Sequence, residues 1–227
     1  MSLKETLKNE AREEQAKLKK MSFRDKLWYI WEYYKIHMLI GCVILFFLYA
    51  LGTIFYQKSF TTQLFFIVMN DRSGSEADYE GLANEFKTRM GYGKKDKVEV
   101  DSSLYISFEE STSQLDYASL AKVTAIVASK DLDVLISDSP AVEHYASNGA
   151  FLNLEEVLPA DLWDMVKDDV YMAKDENGNS FPAAISLDDS YFHEKTGTQM
   201  EEAYFSLINN STRTDTAFEF LLYLYEE

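Results

Sequence analysis

Polar and aromatic residues that could bind a ligand end or follow three stretches of the chain that favour β-strands. The stretches are residues 63–70, residues 133–138 and a hairpin over residues 170–187. Open α/β sheets bind ligands beyond the carboxyl ends of their strands. Each residue also has a simpler interpretation as a turn or helix-cap residue. The candidate ligand-binding residues are Asn70, Asp71, Arg72, Asp138, Ser139, Tyr191 and Phe192.

The histidines could support acid–base or metal chemistry, but no catalytic pattern accompanies them. His37 borders an apolar stretch, and His144 sits in a helix-forming segment. His193 lies near Asp188 and Asp189, which could complete a metal site, although a solvated loop is the favoured interpretation. The sequence contains no serine-centred nucleophile elbow, no His-x-x-x-His pair and no glycine-rich phosphate loop. We therefore expect neither an enzyme nor a bound cofactor or metal.

Residues 36–56 form an apolar run without a single Asp, Glu, Lys or Arg. As a helix this run would reach about 30 Å, the thickness of the hydrocarbon core of a bilayer. A cleaved signal peptide is disfavoured, because 35 residues precede the run and it ends in bulky Phe55 and Tyr56. Lipid attachment at Cys42 is disfavoured because this cysteine begins the run instead of following it. The pattern predicts a transmembrane helix.

Charge is distributed unevenly around this run. Residues 1–35 contain nine basic and six acidic residues, which leaves 13 basic and 32 acidic residues for the rest of the chain. The positive-inside rule then places the N-terminus in the cytoplasm and the C-terminal part outside. So acidic a C-terminal part makes nucleic acid an unfavourable partner. The only cysteine lies in the apolar run, so the outer domain has no disulfide.

These observations divide the chain into three segments. Residues 1–34 are predicted to form a cytoplasmic and juxtamembrane helical segment, and residues 35–58 a transmembrane helix. Residues 59–227 are predicted to form an extracytoplasmic α/β domain. The protein is therefore expected in the cell membrane as a single-pass protein, with the lipid bilayer as one partner.

Apolar periodicity and turn residues predict alternating strands and helices in the C-terminal segment. Such alternation favours an α/β sandwich on a mainly parallel sheet. Single strands are predicted over residues 63–70, 97–106, 133–138 and 203–208, and a hairpin over 170–187. Helices are predicted over residues 2–20, from Ser22, from Ser75, over 112–130, from Ser139 to 149, and over 159–169 and 214–226.

Three segments resemble bacterial extracellular solute-binding proteins of ABC importers. They are residues 131–158 (DLDVLISDSPAVEHYASNGAFLNLEEVL), 177–187 (NGNSFPAAISL) and 203–225 (AYFSLINNSTRTDTAFEFLLYLY). The resemblance implies a three-layer α/β domain similar to one lobe of a periplasmic-binding-protein-like fold. The chain departs from that family at residues 188–202, where fifteen residues stand in place of a whole second lobe.

A single lobe cannot close around a solute and bury it. The resemblance and the membrane anchor together imply an accessory or sensing subunit of a membrane complex, with ABC-type transporter subunits as the expected partner. The alternative is a membrane-tethered substrate-binding protein that delivers a sugar or another small solute to an ABC importer.

Overall fold

The computed structural model describes residues 22–108 and 114–226. The chain divides into two compact units, the first ending at Ser59 and the second beginning at Phe60. The predicted helix over residues 2–20 lies outside the described residues, as do the first two residues of the helix predicted over 112–130.

The first unit contains helix α1, which spans Phe23–Gln57. Its part Lys35–Tyr56 is 22 residues long, none of it is buried, and it is long and apolar enough to cross a membrane. The structure joins the predicted juxtamembrane helix and the predicted span into one helix, because no proline interrupts these residues.

The second unit combines one mixed sheet with seven further helices among the residues described. The strands are β1 Thr61–Met69, β2 Asp96–Leu104, β3 Val134–Ser137, β4 Val170–Lys174, β5 Ser180–Ser186 and β6 Tyr204–Leu207. The helices are α2 Tyr79–Arg89, α3 Gln114–Ala128, α4 Ser139–Ser147, α5 Leu154–Val157, α6 Ala160–Val166, α7 Phe192–Thr196 and α8 Thr214–Tyr225. Short 3-10 turns span Gly74–Glu76 and Lys167–Asp169.

The strands lie in the order β2-β1-β3-β6-β5-β4. Strand β1 pairs in parallel with β2 and β3, whereas the pairs β3–β6, β6–β5 and β5–β4 are antiparallel. The prediction of a mainly parallel sheet is therefore wrong, since two of the five strand pairs among the described residues are parallel and three are antiparallel. The connection from β5 to β6 holds only the five-residue helix α7. A parallel β6 would have to start at the same end of the sheet as β5, and the connection that brings the chain back there is normally much longer than this helix.

Alternate residues of β1 enter two separate hydrophobic clusters. Leu64, Phe66 and Val68 pack with residues of α2 and α5–α8, whereas Ile67 and Met69 pack with residues of α3 and α4. Since successive strand residues point to opposite faces, the two clusters lie on the two faces of the sheet. The second unit is thus a mixed α/β domain with helices on both faces.

Two local predictions can be compared with the structure in detail. The helix predicted to start at Ser75 starts at Tyr79, because Asp78 accepts from the Gly81 N–H at 2.7 Å and caps it. The predicted hairpin is confirmed as β4 and β5, with Gly178 in the left-handed region at φ 82°. Glycine adopts this conformation without the steric cost that a Cβ would impose.

Candidate functional site

A polar cleft lies where β1 and β3 end, in the second unit. It has a volume of about 480 Å³. A smaller depression of about 270 Å³ shares Asn70, Arg72, Asp138 and Pro140 with it, so the two form one groove. We call this groove the cleft. Its larger part is also lined by Ser139, Gln199, Met200, Glu201 and Glu202, and its smaller part by Tyr105, Ile106, Ser107 and Phe108.

Asn70 ties the ends of three strands together at the floor of the cleft. Its Nδ2 donates to both carboxylate oxygens of Asp138 at 3.0 Å. Its Oδ1 accepts from the N–H of Ile106 at 2.7 Å, and its own N–H donates to the carbonyl of Leu104. Asn70 has φ 66°. Asparagine tolerates this left-handed conformation better than most residues, which explains this residue type at the end of β1.

Asp138 caps helix α4 at the same floor. Its Oδ1 accepts from the Ala141 N–H at 3.3 Å, and Pro140 occupies the first turn, where no backbone donor is needed. Because Asp138 also accepts from Asn70, much of its capacity as an acceptor is already used within the fold.

Arg72 lines both parts of the cleft, and Tyr105 lines its smaller part. The guanidinium carbon of Arg72 lies 4.9 Å from the centroid of the Tyr105 ring, and an Arg72 nitrogen also donates to the Tyr105 hydroxyl. Both side chains are exposed. Within the described ranges, Arg72 forms no ion pair. A stacked guanidinium of this kind retains donors that can reach a ligand.

Asp71 lines neither part of the cleft, and its carboxylate instead joins Ser73 to Thr198. It accepts from the hydroxyls of Ser73 at 2.6 Å and Thr198 at 3.1 Å, and from the Ser73 N–H at 3.0 Å. Burial raises the pKa of Asp71, but hydrogen bonds from Ser73, Tyr79 and Thr198 outweigh burial and bring this pKa below its ordinary value. Ser73 also accepts from the Gln199 N–H at 2.7 Å, which fixes the start of the segment 198–202.

Tyr191 and Phe192 are not brought to the cleft. Phe192 is fully buried on one face of the sheet, and its ring centroid lies 6.1 Å from that of Tyr79. Tyr191 precedes α7, donates its N–H to the carbonyl of Leu224 and lies under the Lys195 ammonium. The polar stretch 188–198 thus contains one large apolar side chain, that of Phe192, which is buried in the core.

Residues Gln199–Glu202 line the cleft but were not among the candidates. The prediction selected only residues that end or follow a predicted strand or hairpin. Because β6 runs antiparallel to β3, the segment before β6 arrives at the edge where β3 ends. The Ser139 hydroxyl then donates to Glu202 at 2.6 Å. The signal in the sequence was the short stretch 188–202, which leaves little room for the crossover that a parallel β6 would need.

The cleft is polar and formally negative. Asp138, Glu201 and Glu202 contribute three carboxylates, and Arg72 contributes one guanidinium. No group of three or more metal-ligating side chains occurs in the part of the chain that the structure describes. His193 and Asp188 are 3.9 Å apart, outside the cleft. The arrangement suits hydrogen bonding and charge recognition of a bound group.

Comparisons with protein families, with curated proteins and with solved structures give no match. The residues of the cleft are therefore interpreted from their own geometry, and the resemblance to solute-binding proteins stays a prediction.

Proposed function

We propose that this chain is a single-pass membrane protein whose α/β domain binds a partner protein at the cleft. It would act as an accessory or sensing subunit of a membrane complex, with an ABC-type transporter as the expected partner. Lys35–Tyr56 would cross the membrane, with the N-terminus in the cytoplasm and the α/β domain outside. The observation that carries the proposal is one chain holding both an apolar helix of membrane-spanning length and an α/β unit with an open polar cleft.

The shape of the cleft favours a protein over an enclosed solute. Solute-binding proteins enclose the ligand between two lobes, whereas here only residues 187–203, which include α7, connect β5 to β6. An open groove leaves much of a small ligand in water and so gains little from burial. A partner anchored in the same bilayer would instead be present at high effective concentration.

Site-specific photo-cross-linking in native membranes tests this proposal. A photoreactive residue replaces Glu201, which is exposed at the cleft, or Lys130 as a matched exposed position outside the cleft. We expect a discrete adduct with one membrane protein from position 201 and no such adduct from position 130. Equal adducts from both positions, or none from position 201, would argue against a partner at the cleft.

The alternative is a membrane-tethered substrate-binding protein that hands a sugar or another solute to an importer. The polar lining of the cleft and the exposed ring of Tyr105, which could stack on a sugar, are the observations that favour it. A thermal shift of the full chain that depends on one solute in a panel, and that Arg72→Ala reduces, would support this alternative.

A further inference from the structure

A second group of side chains extends the cleft along α4. Tyr171 and Tyr204 lie with their ring centroids 4.6 Å apart and their planes at 51°. The Tyr171 hydroxyl donates to Glu143 at 3.0 Å. Glu143 lies one helical turn beyond Ser139, whose hydroxyl donates to Glu202, so the group adjoins the cleft. We call Glu143, Tyr171, Glu202 and Tyr204 the acidic-aromatic rim.

The rim carries two carboxylates, Glu143 and Glu202, that take part in no ion pair among the described residues. Burial, the hydrogen bond to Glu143 and the charges of Glu143 and Glu202 raise the pKa of Tyr171 to about 12. Burial and the carboxylates of Glu202 and Asp188 also raise the pKa of Tyr204. Both phenols are neutral at physiological pH, and both rings are half-buried against each other.

We propose that the acidic-aromatic rim binds a cationic side chain, an arginine or a lysine, of the partner protein. Carboxylates supply charge-assisted hydrogen bonds to guanidinium and ammonium groups, and tyrosine faces attract the same cations. A neutral or anionic group would gain from neither feature. The inference rests on the proposed function, because a side chain presented by a neighbouring protein is what an open rim can hold.

The test uses the full chain in an uncharged detergent at low salt, with carbon-13-labelled tyrosine rings observed by NMR. The probe is a blocked pentapeptide with one central arginine, and its matched control has glutamine in that place. We expect the ring signals of Tyr171 and Tyr204, assigned through Y171F and Y204F, to shift with the arginine peptide. The apparent affinity for the glutamine peptide should be roughly tenfold lower.

Matched variants separate rim binding from the overall acidity of the domain. The double variant E143Q/E202Q should weaken arginine-peptide binding by about tenfold. The control E155Q/E176Q removes two exposed carboxylates outside the rim and should leave the affinity within about twofold, as expected for charges that salt screens. Y204F keeps an aromatic ring and should bind, whereas Y204L should bind about threefold more weakly.

Equal affinity for the two peptides, or equal losses in E143Q/E202Q and in E155Q/E176Q, would overturn the rim proposal. Its failure can be told apart from failure of the proposed function. A cross-link at position 201 without a preference for arginine would leave the partner role standing and reject the cationic group. Arginine binding at the rim without a cross-link would support cation recognition and reject the partner role.

Discussion

At the scale of single residues, two aspartates accept hydrogen bonds that stabilise the second unit. They lie at the two ends of β3. At the cleft, Asp138 is occupied by Asn70 and by the first turn of α4. At the opposite end of β3, Asp133 is fully buried and accepts from the Arg213 Nε at 2.8 Å, the Ser211 hydroxyl at 2.6 Å and the Phe65 N–H at 2.8 Å. Both aspartates therefore act as hydrogen-bond acceptors within the fold.

Asp133→Ala should destabilise the second unit strongly. It leaves the Arg213 guanidinium and the Phe65 N–H without their buried acceptor, and breaking a buried pair in this way typically costs about 3–5 kcal/mol. The measurement is thermal unfolding of the full chain in detergent, followed by near-ultraviolet circular dichroism. Asp131→Ala is the control, since its exposed carboxylate contacts the Ser129 hydroxyl and its loss should change stability by less than about 0.5 kcal/mol. Similar effects of both substitutions would contradict the buried network.

Asp71 should make stability depend on pH in the acid range. Its pKa is lower in the folded protein than in the unfolded chain, so its contribution is fully present above the unfolded value and is lost as pH falls through the folded value. Asp71→Asn should therefore lower stability at neutral pH, and the difference from the native protein should shrink on acidification. Unfolding midpoints measured from neutral to strongly acidic pH check this. A difference that stays constant with pH would show that the carboxylate charge does not matter.

At the scale of elements, the sequence predicted where strands and helices occur better than how they are joined. Alternation and turn residues located β1, β3 and the hairpin β4–β5 within a few residues, because these signals are local. The antiparallel direction of β6 depends on the short α7, whose formation follows from burial of Phe192 inside an otherwise polar stretch. The cleft residues Asn70 and Asp138 were found because they end strands, and Glu202 was missed because it precedes one.

The start of α2 offers a test of one capping interaction. A Cβ added at Gly81 would lie 2.3 Å from an Asp78 carboxylate oxygen, so Gly81→Ala must displace the cap. Loss of a cap costs about 1 kcal/mol, and alanine in place of glycine in a helix gains up to about the same amount. We expect Asp78→Ala to destabilise by about 1 kcal/mol and Gly81→Ala to be nearly neutral.

The double variant at these positions should be more stable than Asp78→Ala alone, because no cap is left to displace. Chemical unfolding of the four proteins gives the coupling between the two positions. Additive effects of the two substitutions would show that the Asp78 cap does not depend on glycine at position 81.

At the scale of the whole molecule, the proposed role depends on which side of the membrane each unit occupies. Positive charge before the span and the acidic composition after it predict a cytoplasmic N-terminus. The single cysteine makes this directly measurable. In a Cys42→Ser background, Ser75→Cys places a thiol at an exposed position of the second unit, and Ser2→Cys places one near the N-terminus.

A membrane-impermeant maleimide added to intact cells should label Ser75→Cys fully and should label Ser2→Cys only after the cells are permeabilised. The physical reason is the positive-inside rule: basic residues that precede a transmembrane helix stay on the cytoplasmic side, so the segment that follows the helix is translocated. A matched variant with Leu45→Arg and Phe46→Asp should lose membrane association, since each charge at the centre of a span opposes insertion by about 2.5–3.5 kcal/mol. Labelling of Ser2→Cys in intact cells would show that the orientation is the reverse of the predicted one. The cleft, and any partner bound to it, would then lie in the cytoplasm.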